Sequence, residues 1–286
     1  MSLTSLTSTY TLANGVEIPC IGFGTWQMAD GAEARDAVRY ALDAGYRHID
    51  TAGSYGNEAS VGEAIRQSGI PREEIFLTTK LANPRHGYTE TQEAFRDSLR
   101  LLGVDYIDLY LIHWPNPIRS RERWEQDNAD SWRAFEEFYE QGLIRALGVS
   151  NFREHHLDAL AQTQTVSPVV NQIHLCPGDV PEALIADNRA RGILLEAYSP
   201  LGTGKIFDVP EMQRIANETS RTVAQVAIRW SLQKGFLPLP KTVTPARIDE
   251  NAQVFDFQLS KEQMATIDNL ERGIIGLASD PDTITW

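Results

Sequence analysis

Cysteine is scarce in this 286-residue chain: only Cys20 and Cys176 occur, with no CxxC pair and no metal-ligand spacing. That excludes a disulfide-stapled scaffold and a structural zinc centre, and it fits a reducing compartment. Cations are outnumbered too, with 26 Lys plus Arg against 39 Asp plus Glu and a net charge of −13. A surface of that sign repels phosphate backbones and anionic membranes, so neither nucleic acid nor membrane is expected as a partner. No run approaches eighteen apolar residues, and the opening MSLTSLTSTY has neither a basic segment nor an apolar stretch. A cytoplasmic protein is therefore expected. One more feature is missing. Gly22 and Gly24 are followed by Thr25, Trp26 and Gln27, so the G-x-G-x-x-G turn of an open, doubly wound sheet is absent.

What the chain does have is repetition. Apolar, β-rich runs start at Ile21, His48, Phe76, Ile107, Ile144, Val169, Ile193 and Leu237, separated by 27, 28, 31, 37, 25, 24 and 44 residues. Each interval accommodates a strand, a helix and two short loops. Helix signals fill the gaps: Asp30 with Glu33, Thr89 with Gln92 and Thr222 with Gln225 read as helix starts, and Pro181 and Pro245 suit a first helical turn. Eight βα units have a closed solution, the (β/α)8 barrel, which at roughly 250 residues takes up nearly the whole chain as a single domain over 1–286. Tyr10 to Ile18, around Asn14-Gly15, reads as a β-hairpin able to plug the barrel bottom. The intervals from 107 and from 193 are long, which predicts grown loops after the fourth and seventh strands, and extra helices are expected near the C-terminus.

Barrel chemistry sits at the C-terminal ends of the strands, and here those ends are polar. Asp50 lies in the second run with Tyr55 five residues on, Lys80 closes the third, and His113 closes the fourth. Taken singly, a strand-end Lys is usually a snorkelled surface group, a Tyr core and a His a carbonyl cap. Four titratable groups at one end of one barrel are hard to explain by packing, and a buried Asp and Lys need each other.

The segments GYRHIDTAGSYGNEASVG (Gly45 to Gly62), the Lys80 run, LIHWP (Leu111 to Pro115), GLIRALGVSNF (Gly142 to Phe152) and LPKTVTPARIDENAQV (Leu239 to Val254) resemble, in order, the aldo-keto reductase family. The likeness covers essentially the full chain and looks most like the microbial members that reduce keto-sugar acids, methylglyoxal and small aldehydes. It implies a barrel that binds NADPH/NADP in an extended pose and reduces small-molecule carbonyls. By the resemblance, Asp50, Tyr55, Lys80 and His113 form the catalytic tetrad. Ser150, Asn151 and Gln172 would hold the nicotinamide carboxamide, Tyr198 would stack on its ring, and Ser199, Leu201 and Gly202 would follow the pyrophosphate. Lys241, Thr242, Arg247, Glu250 and Asn251 fall at the adenine end. The chemistry suits those types: a carbonyl receiving hydride needs a proton near pH 7, a phenol of pKa about 10 is a poor donor, and Lys80 beside Tyr55 would lower that pKa.

Trp26 and Trp114 are expected to line the substrate mouth. Arg119, Arg121 and Arg123 could attract anionic substrates or be solvated charge. His155 and His156, adjacent in sequence, should face different sides of a helix and make a poor metal pair, so no metal is expected. A monomer is expected. Two rivals stand beside the reductase: a cofactor-binding regulatory or structural barrel without turnover, and a two-carboxylate or metal hydrolase, for which Glu196 is the only further acid near a strand terminus.

Overall fold

In the computed structural model, which describes residues 3–286, all eight apolar runs become strands of one parallel sheet. These are β3 (Phe23–Gly24), β4 (His48–Asp50), β5 (Phe76–Leu81), β6 (Ile107–Ile112), β7 (Ile144–Ser150), β8 (Val170–His174), β9 (Leu194–Tyr198) and β10 (Leu237–Leu239), hydrogen-bonded in chain order. The ends meet: Gly22 N donates to Pro238 O and Gly24 N to Pro240 O, both at 3.1 Å. The fold is a (β/α)8 barrel. Gly22 has to be glycine at this seam, because a Cβ there would come within 2.7 Å of the His48 ring.

Ahead of the barrel, β1 (Thr9–Thr11) and β2 (Glu17–Pro19) pair antiparallel around Asn14-Gly15, Gly15 taking φ 84°. Leu12 and Ile18 of this hairpin pack with Phe76, Leu109, Leu111, Ala146, Val170, Leu237 and Leu239, the apolar filling of the barrel. The hairpin does plug the bottom. Burying a full Leu or Ile there contributes about 1.5–3 kcal/mol each. The same end carries a buried acid. Asp108 of β6 accepts from Arg72 Nη2 at 2.7 Å and Leu77 N at 2.9 Å through Oδ2, and from Arg145 Nη1 at 2.6 Å through Oδ1.

Helices α1 (Ala32–Asp43), α2 (Glu58–Gln67), α3 (Tyr88–Leu102), α4 (Trp124–Glu140), α5 (Glu154–Ala161) and α6 (Glu182–Ala190) follow β3 to β8 in turn. The long loop after β9 holds an extra helix, α7 (Pro210–Thr219), before α8 (Val223–Gln233). α9 (Pro245–Ala252) follows β10, and α10 (Lys261–Asp268) lies beyond the last unit. Their inner stripes, such as Ala34, Ala37, Val38, Ala41 and Leu42 of α1, cover the outside of the sheet.

Two helix starts differ from the expectation. α1 begins after Gly31 with no side-chain cap, since Asp30 Oδ1 accepts from Ser60 instead and Glu33 reaches back to Ala29 N at 2.8 Å. α3 begins at Tyr88, before Thr89, and Gln92 is drawn to Glu137 across on α4. Tertiary partners took those side chains. Only the third box forms as read: Thr222 Oγ1 accepts from Gln225 N, and Gln225 Oε1 from Thr222 N. Pro245 occupies the first turn of α9, whereas Pro181 is the residue just before α6.

Candidate active site

The strand ends do converge. Asp50 closes β4, Lys80 sits next to last in β5, His113 follows β6, and Tyr55 comes from a single 3-10 turn, Gly53–Tyr55, just after β4. Lys80 is 1% exposed. Its Nζ donates to Asp50 Oδ1 at 2.7 Å, to Thr51 O at 2.9 Å and to Tyr55 Oη at 3.2 Å, which uses all three of its hydrogens. The His113 ring lies edge-on to Tyr55 with centroids 5.7 Å apart, and its buried Nδ1 has no partner among the described residues. All but the deeply buried Lys80 open on a cavity of about 540 Å3.

Electrostatics separate Lys80, Tyr55 and His113. Burial works against the Lys80 ammonium, but Asp50 and Tyr55 beside it outweigh that and move its pKa up, so it stays charged. Burial also raises the Tyr55 phenol, Lys80 pulls it down and Asp50 adds to the rise; the net direction is upward. The expected lowering by Lys80 is present, but in the protein alone it restrains the rise and does not reverse it. Burial, then the Lys80 charge, pushes His113 well below its ordinary value, so its ring is neutral.

Gln172, Tyr198 and Asn151 meet on the opposite wall. Gln172 Nε2 donates to Asp50 Oδ2 and to Glu196 Oε2, both at 2.8 Å, while its Oε1 has no protein partner among the described residues. Asn151, held in a left-handed conformation at φ 61°, donates from Nδ2 to His113 O and accepts from Tyr198 Oη at 2.8 Å. Its amide therefore braces the loop after β6, a job the sequence did not suggest. Ser150 Oγ donates to Gln172 O at 2.8 Å. Ser199 and Gly202 also take positive φ, and a Cβ on Gly202 would collide with Ile275.

Toward β10, Lys241 lines the cavity and Arg247 stands exposed in the first turn of α9. Arg247 makes no ion pair among the described residues: Asp249 is taken by Tyr40 and Glu250 by Thr222. Thr242 Oγ1 accepts from Thr244 N, and Asn251 is buried. Leu201 is partly buried against the core.

Trp26, 47% exposed, and buried Trp114 line the cavity, and a third indole joins them. Trp286 stands perpendicular to Trp114 with centroids 5.7 Å apart. It arrives on a tail that crosses the barrel top between two anchors. Asp179 Oδ2 accepts from His174 Nδ1 at 2.7 Å and from Ala278 N at 2.9 Å; Asp282 Oδ1 meets His156 Nε2 at 2.9 Å and His155 Nε2 at 3.2 Å. The two neighbouring histidines thus do not diverge as expected: their rings lie 3.8 Å apart and both reach the same oxygen. His156 Nδ1 accepts the Arg153 N–H at 3.0 Å, so its proton is on Nε2, donated to Asp282, and that nitrogen offers no lone pair to a cation. The arginines also part company. Arg121 clamps the tail through Ile284 O and Asn116 O, Arg123 pairs with Asp127, and none of Arg119, Arg121 and Arg123 lines the cavity. Asn83, His174 and Trp286 line it as well, brought there only by long-range folding.

This geometry has counterparts. The aldo/keto reductase family profile matches residues 20–272. A glyoxal reductase from Bacillus subtilis is 45% identical over 269 residues, 94% of this chain and 95% of its own. Among solved structures, an aldo/keto reductase from Brucella melitensis superposes with a TM-score of 0.88 at 44% identity, covering 95% of this chain and 100% of that one. A Bombyx mori aldo-keto reductase in complex with NADP superposes with a TM-score of 0.85 at 34% identity, covering 95% and 94%. With its family profile, its near full-length relatives and its barrel all in agreement, the chain belongs to the aldo/keto reductase family.

Proposed function

We propose that the protein, acting as one barrel domain over 1–286, catalyses the NADPH-dependent reduction of aldehydes and ketones to alcohols, with small carbonyls, α-ketoaldehydes or keto-sugars as substrates. The observation that carries this reading is the Lys80 ammonium 3.2 Å from Tyr55 Oη and 2.7 Å from Asp50, at a cavity shared with a neutral His113. A regulatory barrel without turnover needs no such arrangement. The Bacillus glyoxal reductase, named for a small dicarbonyl substrate, supports the substrate class.

The residues fit the dinucleotide. Among the described residues, the acceptor of Gln172, which is only 2% exposed, has no partner; at the other end Arg247 makes no ion pair and Lys241 donates only to Gln27 O at 3.4 Å. Bound there, the dinucleotide supplies the hydride. Tyr55 then gives its proton to the carbonyl oxygen as negative charge develops, and Lys80 stabilises the phenolate left behind. Asp50 keeps Lys80 charged. A neutral His113 orients the carbonyl by a hydrogen bond without competing as an acid. Three indoles exclude water and suit aromatic or compact carbonyls. With no arginine in the lining, the expected gain from a substrate carboxylate is not supported.

Two measurements test the proposal. NADPH absorbance with a panel of aldehydes, α-ketoaldehydes and keto-sugars reports turnover; silence across the panel would reject it. For the cofactor, charge-assisted bonds to the 2′-phosphate contribute about 1.5–3 kcal/mol, so Arg247→Ala should weaken NADPH about tenfold to a hundredfold. NADH binding should not move. Equal weakening of both in a fluorescence titration would place Arg247 in the scaffold.

A further inference from the structure

Behind the tetrad lies an acid that takes no part in it. Glu196 of β9 is fully buried, stands beside Gln172 of β8 in the strand register, and does not line the cavity. Its Oε2 accepts one hydrogen of Gln172 Nε2, and Asp50 Oδ2 accepts the other. Oε1 has no hydrogen-bond partner among the described residues; His48 Nε2 is 3.9 Å away and already bonded to Thr78 Oγ1 at 2.9 Å.

The orientation of the Gln172 amide follows from its surroundings. Asp50, bonded to Lys80, can only accept, so the nitrogen of Gln172 has to face it. One such bond leaves the amide free to pivot about it. The second bond, to Glu196, fixes the plane and leaves Oε1 as the free end.

We propose that Glu196 is a positioning residue for the cofactor. By holding the second N–H of Gln172, it presents the nicotinamide with an acceptor alone and so selects dinucleotides whose ring carries a primary amide. The inference rests on the reading of Gln172 as a cofactor residue. Charge is not required of Glu196: burial, helped by the nearby Asp50 and opposed by the Gln172 bond and Lys80, pushes its pKa up to about 8, and the neutral acid still offers Oε2 as an acceptor.

The test compares the binding of NADP+ with that of its 3-acetylpyridine analogue, in which a methyl ketone replaces the amide, by quenching of tryptophan fluorescence. The wild type should prefer NADP+ by about fivefold to tenfold, the size of one hydrogen bond. Glu196→Gln, which keeps an acceptor, should retain that ratio. Glu196→Met should bring it close to one while binding the analogue as the wild type does. A Glu196→Met protein with the wild-type ratio overturns the proposal, as does loss of the ratio in Glu196→Gln, which stands as the deciding variant should Glu196→Met not fold. A wild type that binds both dinucleotides equally overturns instead the reading of Gln172 as the carboxamide partner.

Discussion

Both ends of this barrel bury a carboxylate among cations, and they do different things with it. At the bottom, Asp108 receives two arginines and a backbone N–H, with every bond between 2.6 and 2.9 Å. None of its hydrogen-bond donors lines the cavity at the other end, and the plug hairpin closes this one. At the top, Asp50 receives Lys80, and Lys80 spends its last hydrogen on a phenol that opens on the cavity. The ion pair alone therefore identifies nothing. What distinguishes the top is a cation whose remaining bond goes to a phenol, next to a His113 nitrogen without a partner among the described residues.

Variants should separate the two ends. Lys80→Met strands Asp50 in the interior and should cost about 3–5 kcal/mol of stability, the usual result of breaking a buried pair. It should also lower kcat by about a hundredfold or more and move the alkaline limb of the pH-rate profile upward, since Lys80 restrains the Tyr55 pKa. An unmoved limb would mean that Lys80 does not tune Tyr55. Tyr55→Phe should lose about a hundredfold or more in kcat with unchanged Tm and unchanged NADPH affinity. At the bottom, Asp108→Asn should cost about 1–3 kcal/mol in a urea melt and leave kcat alone. A rate loss there as large as that of Tyr55→Phe would erase the distinction.

Protonation gives the smallest effect near neutrality. Burial, helped by the Lys80 charge, lowers His48 to about 3; burial, opposed by Asn128, lowers His86 to about 4; and burial with the neighbouring His155, opposed by Asp282, lowers His156 to about 4, against about 6.5 in the unfolded chain. Between those values the unfolded state takes up protons that the folded state refuses. Stability from these rings is thus complete above pH 6.5 and falls as the pH drops toward 4. The Tm should decline slightly from pH 7 to 6 and steeply below; a constant Tm down to pH 4 would show that the three rings become charged without unfolding.

The barrel was legible because its signal is periodic: β-rich runs at intervals of 24 to 44 residues leave few alternatives. The gathering of Asp50, Tyr55, Lys80 and His113 was legible because each lies near or just past the end of a strand, so one topological rule brings all four together. Helix starts such as Asp30 and Thr89 were misread because a cap competes with tertiary partners, Ser60 in one case, that a local window does not contain. His155 and His156 were misread for a similar reason. Helical spacing separates their Cα directions, but Asp282, 126 residues further along the chain, draws both rings to one oxygen. Glu196 was noticed only as a spare acid, because its meaning depends on which neighbour Gln172 faces.

The docked tail has an optical consequence. It holds the Trp286 indole perpendicular to that of Trp114 with centroids 5.7 Å apart, two strong chromophores in a fixed chiral arrangement at the mouth of the cavity. Transition dipoles that close exchange excitation, so circular dichroism in the indole bands should change if the tail lifts or a substrate wedges between the rings. Polarised light would then report on this entrance without an attached dye.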